Sequence, residues 1–257
     1  EPPAPSLPLV VLAHGGLWQG GSKAALAQTC ANLVLGSQGT LACATIDYRL
    51  SDALGGSCMG GPATYEDQLR DFAAAVVLLQ QDADVHGLAR EAVYVGGHSA
   101  GGHLALSLPL RWPTFTATCD PLTCPAPRGA IGIEGIYDIA AWDAYDQSFW
   151  NGTFACATRK AFGDPPGSPS ACIDADTQLP CWSIGSPTYL AGQADTLGLT
   201  TTTASLLIHS PDDDWVDFAE ATSLAAALAL AFPRNPGFVA VDGSCGVGSH
   251  DAVLVDP

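Results

Sequence analysis

Basic side chains are scarce. Nine Lys and Arg stand against 26 Asp and Glu, a formal net charge of -17 over 257 residues. Such a chain repels phosphate backbones and anionic lipid, which makes nucleic acid and acidic membrane poor partners. The plain meaning of the charge is solubility in an acidic or extracellular medium. No apolar run reaches the roughly 18 to 20 residues that a membrane-spanning helix needs. The stretch near 224–232 is too short and too rich in Ala. No two cysteines have C-x-x-C spacing, which excludes a zinc ribbon and a thioredoxin-like redox site. Internal repeats are absent too, and TTTTA (200–204) is the only low-complexity piece.

What the chain does have is cysteine. There are nine, at Cys30, Cys43, Cys58, Cys119, Cys124, Cys156, Cys172, Cys181 and Cys245. That count fits disulfides made in an oxidising compartment. The odd total allows at most four bridges and leaves one thiol over. The spacings of Cys119 with Cys124 and of Cys172 with Cys181 suit local pairing. Asn151-Gly152-Thr153 is an N-glycosylation sequon among polar and aromatic residues, and the first numbered residues, EPPAPSLP, read as a mature end left after a signal peptide. A secreted protein is expected.

Short apolar runs recur at 7–16, 40–49, 91–99, 129–138, 204–210 and 237–243. They are rich in Val, Ile and Leu rather than alternating, as strands covered on both faces are. Helical patterns lie between them, at 23–39, 64–87, 101–110 and 218–232. Thr64 and Asp67 fit an N-cap with its reciprocal acid. This alternation predicts an α/β fold with a mostly parallel sheet of about six strands and helices on both faces, in a single domain over 1–257. Residues 138–200 break the rhythm, with no strand pattern, many prolines, three tryptophans and three cysteines. They are expected to form a disulfide-stapled, cap-like insertion over one end of the sheet.

Gly97-His98-Ser99-Ala100-Gly101 matches G-x-S-x-G where a strand hands over to a helix. A nucleophile elbow needs that context, because its serine takes strained backbone angles among small neighbours. The rival reading is a glycine-rich helix start that merely caps or holds an anion. A serine hydroxyl attacks only when a histidine takes its proton and an acid orients that histidine, in the chain order Ser, acid, His. Of six histidines, only His209 and His250 lie well downstream. His209 ends a strand and reads as a buried structural residue, whereas His250 sits in a glycine-rich loop, so His250 is the expected base. Asp212, Asp213, Asp214 and Asp217 are candidate acids, and spacing alone does not choose among them. The cluster lacks the ligand spacing and glycine of a calcium loop. Backbone N–H donors for an oxyanion are expected from Ala100 and from the loop AHGGLW (13–18).

These blocks together resemble the α/β-hydrolases, and within them the branch of hormone-sensitive-lipase-like and kynurenine formamidase-like esterases. The resemblance rests on HGGLW (14–18), DYRLS (47–51), GGHSAGGHLAL (96–106), GIYDI (135–139), SPTYL (186–190), HSPDDDWV (209–216) and SHDAVL (249–254), in that order. It implies Ser99 as nucleophile, Asp213 as acid and His250 as base, with Gly16, Leu17 and Ala100 supplying the oxyanion N–H groups. Two positions depart from the pattern. Ser210 replaces a usual Gly, and Glu134 replaces a small residue before GIYD, as either a hydrogen-bonded structural acid or a determinant of substrate choice. The leading hairpin of the family's sheet is absent from the pattern, which points to a smaller sheet in the manner of cutinases.

The expected activity is hydrolysis of carboxylic esters through an acyl-enzyme, with no metal and no organic cofactor implied. The substrate would be a small-molecule or polymer-borne ester, and the protein a monomer or homodimer. Trp18, His98, Glu134 and Tyr137 are candidate substrate-binding residues. An amidase of the kynurenine formamidase kind, and a non-catalytic binding protein on the same fold, are the alternatives.

Overall fold

The computed structural model describes residues 6–51, 58, 62–232, 236–240, 249–251 and 254, with backbone only at 236–240. Cys245 lies outside them.

In chain order the elements are β1 (Leu7–Ala13), α1 (Ala27–Gly36), β2 (Ala42–Ile46), α2 (Tyr65–Gln81), α3 (Ala83–His86), β3 (Leu88–His98), α4 (Ala100–Leu110), α5 (Trp112–Phe115), β4 (Gly129–Ile133), α6 (Ile139–Phe149), α7 (Ala155–Phe162), α8 (Cys181–Ile184), α9 (Pro187–Gly192), α10 (Ala194–Leu197), β5 (Ala204–His209), α11 (Ala219–Ala231) and β6 (Pro236–Ala240). The six strands form one sheet in the order β2-β1-β3-β4-β5-β6, every neighbouring pair parallel. Each apolar run expected to be a strand is one. β3 starts three residues earlier than its run, because Leu7 also pairs with Leu88.

The chain leaves β1 to build β2 on one side and places β3 on the other, so the direction of winding reverses between β1 and β3. Open α/β sheets bind their ligands at such a crevice, beyond the carboxyl ends of the strands. The register sets Ala13 beside Gly97, so the loop after β1 and the turn after β3 emerge together. Their approach is too close for side chains. A Cβ on Gly101 would collide with the Ala13 carbonyl, and one on Gly97 with the Gly101 backbone.

Helix α2 opens with the full capping box: Thr64 accepts from the Asp67 N–H while the Asp67 carboxylate accepts from that of Thr64. Its buried Leu69, Phe72, Ala73 and Val76 recur at helical spacing and face the sheet. The sequence pattern at 64–87 breaks after Gln81 into a separate turn of helix, α3, closed by Gly87 at φ 65. Helix α4 is buried along its whole length, which hydrophobic residues all round it allow.

The stretch expected to be an irregular insertion holds five helices, α6 to α10, and two isolated bridges, between β4 and β5. Trp142, Phe162 and Trp182 from it join the same buried cluster as Val11 of β1 and Val95 of β3. Disulfides join Cys30 to Cys43, Cys58 to Cys156, Cys119 to Cys124 and Cys172 to Cys181. Both expected local pairs form, and Cys58–Cys156 ties the segment before α2 to α7 of the insertion. Among the described residues no helix is long and apolar enough to cross a membrane.

Candidate active site

Ser99 lies between the last residue of β3 and the first of α4, at φ 54 and ψ -123. A side chain at positive φ is strained, and the surroundings must hold it there. They do so through the backbone. The Ser99 N–H donates to the Ile133 carbonyl at 2.9 Å, and its own carbonyl accepts from the His103 N–H at 3.1 Å. The turn sets the hydroxyl-bearing carbon at the wall of a cavity of about 510 Å³, shared with Gly16, Leu17, Trp142, Trp215 and His250.

His250 reaches that wall from the far end of the chain, held at four points. Its Nδ1 lies 2.8 Å from Asp213 Oδ2, and its N–H donates to Asp214 Oδ1 at 3.4 Å. The His98 ring donates from Nε2 to the His250 carbonyl at 2.8 Å, and Trp215 stacks on the His250 ring with centroids 6.1 Å apart. His98, the variable residue of G-x-S-x-G, thus clamps the loop that carries the imidazole, besides lining the cavity.

The aspartate cluster separates by orientation. The Asp213 carboxylate is fully buried. Oδ1 accepts from the N–H groups of Trp215 and Val216, at 2.8 and 3.1 Å, which leaves Oδ2 aimed at His250. Asp217 accepts from the Ala219 N–H at the start of α11 instead, and Asp212 and Asp214 are exposed. His209 is fully buried as expected, with Nε2 3.2 Å from the Val216 carbonyl and 3.3 Å from Asp213 Oδ2. Burial opposes the charge of Asp213, but hydrogen bonds from His209 and His250 overcome it and hold the carboxyl well below the usual range. Burial likewise opposes a charged His250, and the Asp213 carboxylate outweighs it, raising the imidazole pKa. A raised pKa on an imidazole backed by a carboxylate is what a general base for a serine requires.

The loop after β1 takes three successive left-handed residues, Gly16 at φ 115, Leu17 at φ 51 and Trp18 at φ 60. A Cβ at Gly16 would collide with the Gly20 carbonyl, so this glycine is a steric necessity. The Trp18 carbonyl is fixed by Gln68 Nε2 at 2.7 Å and by the Ser51 N–H at 2.9 Å. Among the described residues, the N–H groups of Gly16 and Leu17 make no backbone hydrogen bond. The Ala100 N–H, at the first position of α4, has no intrahelical acceptor.

Three of the four residues expected to contact substrate, Trp18, Tyr137 and Glu134, do not line the cavity. Trp18 and Tyr137 are both fully buried in the main core and do not line the cavity. The turn at Trp18 swings its indole inward, where Nε1 donates to His103 Nδ1 at 3.2 Å and the ring packs edge-on to Phe162. Burial lowers the His103 pKa to about 4, so that ring stays neutral and can accept the bond. Tyr137 is directed under the sheet, against Gly132 and Gly135. Trp215, which the sequence pattern does not single out, lines the cavity. Its signal was an aromatic directly after an acid-rich turn, with nothing periodic to bury it. Glu134 stands behind His250 rather than on the cavity wall. Its Oε2, His98 Nε2 and His250 Nδ1 are spaced closely enough for an ion. Both nitrogens are already engaged, however, with the His250 carbonyl and Asp213.

The family model BD-FAE matches residues 2–142, more than half of the chain. The chain belongs to the BD-FAE family. Asp213 and His250 lie beyond the part that this BD-FAE match covers. A kynurenine formamidase of Aspergillus versicolor is 29% identical over 222 residues, 83% of this chain and 70% of that protein. One from Salmo salar is 31% identical over 134 residues, 52% of this chain and 38% of that one. Among solved structures, carboxyl esterase 2 from Tuber melanosporum superposes with a TM-score of 0.69 at 21% identity, covering 99% of this chain and 75% of the other. A propionate-bound esterase of Thermogutta terrifontis gives 0.65 at 19%, covering 97% and 76%. At these identities the structural likeness establishes the fold. This BD-FAE chain has an α/β-hydrolase fold of the hormone-sensitive-lipase and kynurenine formamidase-like branch.

Proposed function

We propose that this protein is a serine hydrolase that cleaves carboxylic esters through an acyl-enzyme. The observation that carries the reading is that a left-handed serine at a strand-to-helix turn shares a cavity wall with an imidazole whose Nδ1 is held by a buried carboxylate. Ser99 attacks the ester carbonyl while His250 Nε2 takes its proton. Asp213 fixes the tautomer and balances the imidazolium. The N–H groups of Gly16, Leu17 and Ala100 receive the oxyanion, having no backbone hydrogen bond to break among the described residues. His250 returns the proton to the leaving alcohol, and water then repeats the sequence to free the acid and Ser99. The helices between β4 and β5 act as a cap, with Trp142 facing the substrate.

The eight described cysteines, all paired, support a secreted protein working in an oxidising compartment. The exposed Asn151, in the turn after α6, suits a glycan there.

The experiment is a chain-length series of p-nitrophenyl esters run beside N-formylkynurenine, with fluorophosphonate labelling of Ser99. Ester turnover with labelling supports the proposal. The second reading, an arylformamidase, is favoured by the formamidase relatives and predicts faster turnover of N-formylkynurenine than of any ester in the series. Absence of labelling, with folding intact, rejects both.

A further inference from the structure

One buried carboxylate is left over once Ser99, His250 and Asp213 have their roles. Glu134 follows β4 at φ 47, fully buried, with its N–H donated to the Ile208 carbonyl at 2.8 Å. Neither of its carboxylate oxygens has a hydrogen-bond partner among the described residues. The basic atoms facing it are two imidazole nitrogens. His98 Nε2 lies 3.6 Å and His250 Nδ1 3.8 Å from Oε2. Two carboxylates therefore face one imidazole, Asp213 at 2.8 Å and Glu134 at 3.8 Å. A buried acid without hydrogen bonds is costly unless a counter-charge is near. Here the positive charge comes and goes with the reaction.

We propose that Glu134 is a positioning residue, a second counter-charge that steadies the His250 imidazolium from the side opposite the substrate. This rests on the serine hydrolase reading above. As the Oγ–carbon bond forms, the carbonyl π pair moves onto oxygen and the hydroxyl proton passes to His250 Nε2. The cation then lies between two carboxylates. When the proton leaves with the alcohol, Glu134 loses that partner, and burial favours its neutral form. Other titratable and charged groups face this pair. Asp213, Asp214 and Asp251 surround His250, while His98, Asp213 and Tyr137 act on Glu134, with His209 acting through Asp213.

The test is an NMR titration of labelled histidines in the wild type, Glu134→Gln and Glu134→Asp, beside the pH profile of kcat/KM. Glu134→Gln is expected to lower the His250 midpoint by about one pH unit, the usual scale for a charge at this range. The acid limb of kcat/KM moves down with it, and kcat falls while KM holds. Glu134→Asp keeps the wild-type midpoint. A His250 midpoint and acid limb unmoved by Glu134→Gln overturn the proposal. If Glu134→Gln does not fold, Asp213→Asn decides. There the Glu134 carboxyl carbon, 13C-labelled in Asp213→Asn, should shift in step with the remaining His250 titration, and a Glu134 carboxyl that does not respond at the His250 midpoint overturns the proposal. Wild-type protein that fluorophosphonate fails to label refutes the hydrolase reading alone, since the titration still reads the coupling.

Discussion

At φ 54 and ψ -123, Ser99 occupies a backbone conformation that side chains rarely adopt, and its hydroxyl is the only group there that chemistry needs. Ser99→Ala is therefore expected to cost turnover about three orders of magnitude or more, with the thermal midpoint unchanged, as steady-state kinetics and calorimetry would read. The base must be neutral to accept the proton. Because Asp213 raises the His250 pKa above the ordinary 6.5, kcat/KM should hold on the alkaline side and fall as pH drops through a midpoint above that value. An acid limb centred below 6.5 would contradict the assignment. A different buried acid, Glu220, accepts the N–H groups of Tyr137 and Asp138, both at 2.6 Å, yet burial pushes its pKa up to about 8. A carboxyl whose pKa rises on folding costs nothing below its unfolded value near 4.5, and destabilises progressively as pH climbs toward 8. Glu220→Gln keeps an oxygen acceptor for both donors without the charge. It should be close to neutral at pH 4 and stabilising by roughly 1–3 kcal/mol at pH 9, measured by urea unfolding.

At the scale of elements, the strands were legible because burial on both faces leaves unbroken Val, Ile and Leu runs, and the serine turn because steric demand there admits only glycine. Helix α2 was legible down to its cap. The five helices between β4 and β5 were not. Three of them are four to six residues long, shorter than the periodicity that would announce them, and Pro and Cys interrupt the rest of the stretch. Asp213 could be singled out only by resemblance, since the feature that separates it from Asp212 and Asp214 is the turn its own Oδ1 makes with Trp215 and Val216. Trp18 was misjudged because a left-handed backbone reverses a side chain, and sequence carries no sign of that reversal at a non-glycine. Two substitutions test how tightly the elements are joined. Thr64→Ala removes half of the α2 capping box and should cost about 1 kcal/mol with kinetics intact. Gly101→Ala drives a methyl into the Ala13 carbonyl where β1, β3 and α4 meet. The cost should be on the order of 3 kcal/mol or more, and ester turnover should fall even in the folded fraction, because Ser99 rides on that contact.

For the whole molecule, a net charge of -17 works against compaction, and crosslinks between distant parts of the chain offset that repulsion. Three bridges close short loops, with partners 5, 9 and 13 residues apart, whereas Cys58 and Cys156 are 98 apart. If crosslinks act by restricting the unfolded chain, a loop of about 100 residues contributes roughly 4.7 kcal/mol and one of five roughly 2. The long bridge does more than close a loop, because it anchors α7 of the insertion to the segment before α2. Trp142 of α6 stacks on Phe154 immediately before α7, so the anchor also steadies a wall of the cavity. The double variant Cys58→Ser/Cys156→Ser should therefore lose more stability than Cys119→Ser/Cys124→Ser, by about 2 to 3 kcal/mol in urea at equal m. It should also raise KM for esters without lowering the rate of fluorophosphonate labelling at Ser99, since the turn after β3 holds Ser99 and the turn after β5 holds Asp213, which in turn holds His250. Added salt should raise the midpoint of both variants alike, because screening acts on the net charge and not on the bridge. Equal losses in the two double variants would mean that strain or residual unfolded structure, not loop length, sets what each crosslink contributes.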